Sequence, residues 1–128
     1  MVTKVTQGIK ISVDVRYIEE FSNPLKNHFL FAYHIRIENE SEFTYQLISR
    51  RWNIFDSNGE YRIVEGEGVV GEQPVLEPGQ SFEYESSCNL HTDFGTMKGS
   101  YIMKRLVDNS ELTVLIPEFQ LITPHKLN

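Results

Sequence analysis

The first third of the chain alternates between apolar and polar residues in two long stretches. In residues 8–18 the apolar face carries Ile9, Ile11, Val13, Val15 and Tyr17. In residues 29–38 the corresponding face carries Phe29, Phe31, Tyr33, Ile35 and Ile37. A period of two is typical of a half-buried β-strand. The pattern therefore predicts two long strands, joined through a turn at Asn23-Pro24 and Asn27.

A third strand is predicted for residues 45–55, where both faces contain apolar side chains. One face carries Ile48, Arg50, Trp52 and Ile54, and the other carries Leu47, Ser49, Arg51 and Phe55. The next four residues, Asp56-Ser57-Asn58-Gly59, have the composition of a tight turn. Residues 61–64 are therefore expected to fold back antiparallel to the third strand.

Shorter strand-like segments fill the second half of the chain. They span residues 80–87, 99–107, 112–116 and 119–122, separated by a loop at 89–98, a turn at 108–110 and Pro117. Pro117 is expected at a sheet edge or a strand end, because proline lacks an N–H. No window has helical periodicity. Seven strands or slightly more predict an all-β, immunoglobulin-like antiparallel β-sandwich, with a small closed barrel as the alternative.

The composition is that of one folded domain. The 128 residues are 40% hydrophobic and 12% aromatic, which excludes disorder. We expect a single domain over residues 1–128, with residues 1–7 and 123–128 as loose tails. No apolar run is long enough to cross a bilayer, and the first residues lack the apolar block of a secretory signal. The single Cys88 cannot form an internal disulfide, so a reducing cytoplasm is the expected compartment.

The net charge of −6 is concentrated in the middle of the chain. Residues 53–93 contain one base, Arg62, against these acids: Asp56, Glu60, Glu65, Glu67, Glu72, Glu77, Glu83, Glu85 and Asp93. Such a surface repels nucleic acid and anionic lipid, and it favours a basic protein partner or, more weakly, divalent cations. A solvated face that serves only solubility is the alternative.

Residues 66–71 have the spacing GxGxxG, which binds a pyrophosphate when it leads from a strand into a helix. Two prolines soon after Gly71 would break such a helix. Four glutamates would also repel the anion: Glu65, Glu67, Glu72 and Glu77. We favour a structural loop in which glycines take positive φ or allow close packing. Nucleotide binding is the alternative.

Few residues suggest chemistry. Cys88, His91 and Asp93 form the only local cluster of nucleophile, base and acid types, and their spacing matches no catalytic or zinc-binding pattern. No catalytic residue, metal ligand or cofactor is therefore predicted. Arg50 and Arg51 are neighbours on a strand and must point to opposite faces. We expect one of them to form a structural ion pair with an acid from residues 60–77, with a recognition arginine as the alternative.

Ordered motifs cover most of the chain. They are Arg51-Trp52-Asn53-Ile54, Asp56-x-Asn58-Gly59, the run from 66 to 79, Phe82-x-Tyr84-x-Ser86, Gly95-Thr96-Met97-x-Gly99-Ser100-Tyr101 and Ile116-Pro117-x-Phe119-x-Leu121. In this order they resemble the bacterial ApaG family. The resemblance implies a fibronectin type III-like sandwich and supplies no catalytic residue. It also implies an association with cobalt resistance and magnesium efflux. The same domain in a eukaryotic F-box protein and in a DNA-polymerase-δ-interacting protein implies protein-protein contact.

The leading hypothesis is a non-enzymatic protein-protein interaction module, with an indirect link to cobalt and magnesium homeostasis. The predicted binding residues are Arg51, Trp52, Gly66, Glu67, Gly68, Gly71 and Glu72. The expected partner is a basic protein, and neither nucleic acid nor a membrane is expected. The alternative is a small-ligand binder, for a nucleotide or a divalent cation, at the same glycine-rich acidic loop.

Overall fold

The computed structural model describes residues 1–127, and its regular structure is mostly β-strand. The strands are β1 (Val2–Thr6), β2 (Ile9–Tyr17), β3 (Phe29–Asn39), β4 (Tyr45–Asp56), β5 (Tyr61–Glu67), β6 (Val75–Leu76), β7 (Ser81–Leu90), β8 (Phe94–Arg105) and β9 (Ser110–Ile122). The helical elements of these residues are three short 3-10 helices, at Glu19–Phe21, Pro24–Lys26 and Pro124–Leu127. Within this part of the chain, no helix has the length and apolar character of a membrane span.

The strands form two antiparallel sheets that enclose one core. One sheet has the order β1-β2-β3-β7, and the other has the order β5-β4-β8-β9, with β6 paired to the start of β4. Fully buried side chains from both sheets meet between them, including Ile11, Phe31, Leu47, Met103 and Leu121. The predicted all-β sandwich is confirmed. No ladder joins the two sheets within residues 1–127, so the barrel alternative is wrong.

Residues 1–7 are not a loose tail. β1 pairs with β2 along its whole length, although its side chains are mostly exposed. The backbone ladder therefore holds this strand, and no buried apolar face marks it in the sequence. At the other end, Thr123 is fully buried and its N–H donates to the Asp93 carbonyl at 3.1 Å. A 3-10 helix follows Thr123, and residue 128 lies outside the described residues.

β4 contains a β-bulge that simple alternation does not predict. Its register with β8 shifts between Leu47 and Ser49, so Ile48 is the extra residue. An extra residue reverses the facing of the side chains beyond it. Leu47, which was predicted to lie opposite Trp52, is therefore buried in the same core as Trp52.

The last three long strands extend further than predicted. β7 continues to Leu90 and β8 begins at Phe94, so the loop predicted at 89–98 is reduced to residues 91–93. β9 continues through Pro117, which lies where the register between β8 and β9 shifts. Because β9 is an outer strand, the missing N–H is tolerated there. The predicted edge position of Pro117 is confirmed.

Three buried tyrosines make the core sensitive to alkali. Burial raises the pKa of Tyr33, Tyr84 and Tyr101, and the hydroxyls of Tyr84 and Tyr101 are hydrogen-bonded to each other. In the unfolded chain, tyrosine ionises with a pKa of about 10. Above that pH the unfolded state binds fewer protons than the folded state. The stabilisation is therefore complete below about pH 10, and we expect it to be lost as the pH rises towards the folded pKa values.

Urea unfolding at a series of pH values below and above about 10 measures this loss. The double variant Tyr84→Phe/Tyr101→Phe removes both hydroxyls together and leaves neither unpaired, so its unfolding free energy should fall less steeply with pH. A parent protein whose stability is constant through this range would contradict the expectation.

Candidate functional site

The glycine-rich stretch forms a tight hairpin turn after β5. Val69 and Glu72 exchange both backbone hydrogen bonds, at 2.8 and 2.9 Å. Between them, Val70 and Gly71 have φ angles of 43° and 81°. Positive φ at both central residues is the signature of a type I′ turn. Residues 66–71 therefore lead into a hairpin and not into the helix that a pyrophosphate-binding GxGxxG requires.

Two of the three glycines have close neighbours inside the protein, a backbone carbonyl for Gly68 and an arginine side chain for Gly66. A Cβ on Gly68 would lie 2.2 Å from the Glu72 carbonyl oxygen, and one on Gly66 would lie 2.8 Å from Nη1 of Arg50. A Cβ on Gly71 would meet nothing within 4 Å. The space beside Gly66 and Gly68 is thus filled by the protein's own atoms, which supports a structural role for both residues.

The two neighbouring arginines have different contacts. Arg50 donates from Nη1 to the carbonyl oxygens of Glu67 and Gly68, at 3.0 and 2.9 Å. These two hydrogen bonds hold the end of β5 against β4. Nη1 of Arg51 lies 3.2 Å from Oε1 of Glu65, which confirms the predicted ion pair with an acid from residues 60–77. Both side chains of that pair are more than half exposed, so it contributes little to stability.

Trp52 is a core residue and not a surface residue. It is 3% exposed, and its ring packs edge-on against Phe119 and Tyr33 with centroid distances of 5.8 and 5.3 Å. Successive residues of a strand face opposite sides, so Arg51 points to solvent where Trp52 points inward. The prediction that Trp52 belongs to a binding surface with Arg51 is therefore wrong.

A groove of about 890 Å³ opens between the two sheets, and we call it the 72–83 groove. One wall is formed by residues 72–76 and the other by residues 79–83 at the start of β7. Glu72 lies in its wall. Arg51, Gly66 and Glu67 instead line a second depression of about 480 Å³. The structure therefore divides the predicted binding residues between two depressions, while Gly68 and Gly71 shape the turn.

Several acids in the middle of the chain lie within salt-bridge distance of an arginine or a histidine. These pairs are Glu60 with His91, Glu65 with Arg51, Glu83 with Arg36 and His34, and Glu85 with Arg16. In contrast, the structure of residues 1–127 gives no ion pair for Glu67, Glu72 or Glu77. The exposed carboxylates of this segment that have no ion pair in the described residues therefore lie on the glycine-rich loop and beside the 72–83 groove.

A cluster of polar side chains lies where the 56–60 turn meets the 91–93 loop. Asp56, Glu60 and His91 offer possible metal-ligand atoms within 4.8 Å of one another. Buried Asp56 accepts a hydrogen bond from the His91 N–H at 2.6 Å and another from the Thr92 hydroxyl. Oε2 of Glu60 lies 2.9 Å from Nδ1 of His91. Contacts within the protein thus account for the whole cluster, which sequence spacing could not reveal because the turn and the loop are distant in sequence.

The cluster suggested by sequence proximity, Cys88 with His91 and Asp93, does not form one polar group. Their side chains contact different partners: Arg62 for Cys88, Glu60 for His91 and His125 for Asp93. Cys88 lies on β7, where burial raises the pKa of its thiol. A thiol with a raised pKa is less often ionised and is a poor nucleophile at neutral pH.

We expect Cys88→Ser to fold and to keep the binding activity of the parent protein. The buried hydroxyl should lower the free energy of unfolding by about 1 to 3 kcal/mol. Urea unfolding and partner capture at equal folded concentration measure the two quantities. A variant that folds normally but loses function would contradict a non-enzymatic role, because it would make the thiol itself necessary.

Comparisons with known proteins agree with the motifs and the fold. A family model described as the ApaG domain matches residues 19–105. A protein named ApaG from Anaeromyxobacter dehalogenans is 47% identical over 128 residues, covering 100% of both chains. One from Brucella canis is 44% identical, covering 98% of this chain and 96% of its own. A crystal structure of an ApaA protein from Bordetella pertussis gives a TM-score of 0.87 at 42% identity, covering 91% of this chain and 94% of its own. The C-terminal domain of wzt, at 10% identity and a TM-score of 0.55, shares the fold alone.

Proposed function

We propose that this chain, which belongs to the ApaG family, acts as a non-enzymatic protein-protein interaction module. The observation that supports the proposal most directly is the 72–83 groove with its uncompensated carboxylates. Glu72 lies in its wall, Glu77 lies between its two lining segments in sequence, and Glu67 lies in the neighbouring depression. None of the three has an ion pair in the described part of the chain. Such a surface favours a cationic partner through complementary charge and disfavours phosphate-rich partners such as nucleic acid or anionic membranes.

Several observations support a role without catalysis. The nucleophile-type Cys88 is buried with a raised pKa, and the nearby His91 is bound to Glu60. A single, buried and reduced cysteine fits a cytoplasmic location, which is part of the proposal. An effect on cobalt or magnesium would then be indirect, exerted through the protein partner.

Affinity capture from a lysate of the source organism, followed by reconstitution with the purified partner, tests the proposal. The variant Glu67→Gln/Glu72→Gln/Glu77→Gln should weaken binding of that partner by at least about tenfold. The matched control is Glu19→Gln/Glu20→Gln/Glu40→Gln, which removes the same charge from exposed positions elsewhere. Equal loss in both variants would show a general charge effect and contradict a site at the groove.

Calorimetry separates this proposal from a small-ligand function. We expect no saturable binding of ATP, diadenosine tetraphosphate, Mg²⁺ or Co²⁺ to the parent protein. Micromolar binding of any of these ligands would favour the small-ligand function over the protein-interaction function. His91→Ala and Glu72→Gln would then distinguish the cluster at the 56–60 turn from the glycine-rich loop.

A further inference from the structure

The outer strands of the two sheets differ in how they are protected. On one side of the sandwich, β1 and β9 are in contact, and the Leu115 N–H donates to Oγ1 of Thr6 at 3.2 Å. Pro117 also removes a donor from β9. On the other side, β7 is the outer strand of its sheet, and its first residues form a wall of the 72–83 groove. An outer strand without such protection is a template for pairing with another chain.

The ladder between β3 and β7 shows which backbone groups of β7 are free. The Asn39 N–H donates to the Gln80 carbonyl at 2.9 Å, and antiparallel pairs alternate between bonded and non-bonded positions. From the register, the residues bonded to β3 are Phe82, Tyr84, Ser86, Cys88 and Leu90. The residues whose N–H and C=O point to the open side are Ser81, Glu83, Glu85, Ser87 and Asn89.

The far end of this open side is already occupied. Nη2 of Arg62 donates to the Asn89 carbonyl at 2.7 Å, which agrees with the assigned alternation. Within residues 1–127, no backbone hydrogen bond outside the β3 ladder involves residues 81–87. The open edge therefore extends from Ser81 to Ser87 and ends where Arg62 caps it.

The opposite wall of the groove is held in place by β4. The Leu47 N–H donates to the Pro74 carbonyl at 3.0 Å, and β6 pairs with the start of β4. Val75 on this wall is 47% exposed, and Phe82 on the other wall is partly exposed. A fixed wall with some exposed apolar surface can receive alternate side chains of an added strand.

Charge selects the kind of strand that fits. The groove is lined by Glu72 and Glu83, and by no lysine or arginine among the described residues. Glu72 and Glu77 have no ion pair there. A second copy of the same groove would bring two more unpaired carboxylates, Glu72 and Glu77, and no lysine or arginine from its lining to neutralise them. The surface therefore suits a segment that carries lysine or arginine, and not self-association.

We propose that an extended segment of the partner, bearing lysine or arginine, adds as a further strand to the open edge of β7 over residues 81–87. The partner's backbone pairs with Ser81, Glu83 and Glu85, and its basic side chains lie near Glu72 and Glu77. This inference rests on the proposed interaction function and names the partner's chemistry and its mode of binding.

A blocked synthetic peptide that alternates valine with lysine and threonine is the probe, and amide chemical shifts of the isotope-labelled protein are the readout. We expect shift changes concentrated in residues 72–76 and 81–87, with a Kd below about 1 mM. The same peptide methylated on the backbone nitrogens of one edge should bind at least about tenfold more weakly. A peptide with glutamate in place of lysine should not bind.

Other outcomes overturn the inference. These are equal binding of the methylated peptide, shift changes centred on β5, absence of shifts at millimolar peptide, and concentration-dependent dimerisation through residues 81–87. The variant Glu83→Pro removes one outward N–H, while Glu83→Gln keeps the backbone donor. Peptide binding should be lost only in Glu83→Pro, and the methylated peptide decides the question if that variant does not fold.

The captured partner separates this inference from the function on which it rests. If the Glu67/Glu72/Glu77 variant loses the partner but Glu83→Pro binds it normally, the interaction function stands and strand addition is wrong. If the parent protein has no stoichiometric partner, both are wrong. If both the Glu67/Glu72/Glu77 variant and Glu83→Pro lose the partner while Glu83→Gln binds it normally, the interaction function and strand addition are both supported.

Discussion

Replacing Trp52 with alanine should lower the free energy of unfolding by about 3 to 5 kcal/mol. The indole is 3% exposed and contacts the rings of Tyr33 and Phe119, so its removal leaves a cavity between the two sheets. Arrangement of these rings edge to face adds to the loss. Urea unfolding measures the loss of unfolding free energy. An unchanged m-value would show that only the stability has changed.

Arg51→Ala is the matched control, because it changes the adjacent residue of the same strand on the solvent face. Its ion pair with Glu65 is exposed, so we expect a change of at most about 1 kcal/mol. The two variants together test whether Trp52 is a core residue. If Trp52→Ala were as stable as the parent and lost only partner binding, Trp52 would be a recognition residue after all.

Gly68→Ala should lower the free energy of unfolding by about 2 to 5 kcal/mol. Gly68 has a φ angle of 61°, which disfavours any residue with a Cβ. The new methyl group would also lie 2.2 Å from the Glu72 carbonyl oxygen, so the backbone of the hairpin turn has to move. Thermal or urea unfolding measures the loss.

Gly71→Ala separates the two causes, because Gly71 also has positive φ but an added Cβ meets nothing within 4 Å. We expect it to lose about 1 to 2 kcal/mol from backbone strain alone. A nucleotide titration of the parent protein accompanies both variants. Equal stability of all three proteins, together with nucleotide binding by the parent, would contradict the structural role of this stretch.

The sequence predicted the long strands well because their signal is local. In β2 and β3, apolar residues alternate with polar ones, so the sequence alone indicates which side chains face the core. The same logic failed at Ile48, since a bulge reverses the facing and leaves no composition signal. It also missed β1, whose backbone ladder with β2 requires no buried apolar face.

The candidate site was predicted less well. The sequence located the acidic glycine-rich loop and the ion-pairing arginine, but it combined Arg51 and Trp52, which face opposite sides of β4. It also could not separate neutralised from uncompensated acids. Glu65 and Glu83 are paired with arginines of other strands, whereas Glu72 and Glu77 have no such partner in the described residues.

By itself, the sequence determined that this chain forms a β-sandwich with an acidic middle, because alternation, turn composition and charge are properties of neighbouring residues. Only the tertiary structure decided which side chains share the core with Trp52 and which carboxylates are uncompensated. It also decided that the edge of β7 is open up to the Arg62 cap. These features depend on contacts between residues far apart in sequence, and a local pattern carries no information about which distant strand supplies the neighbour.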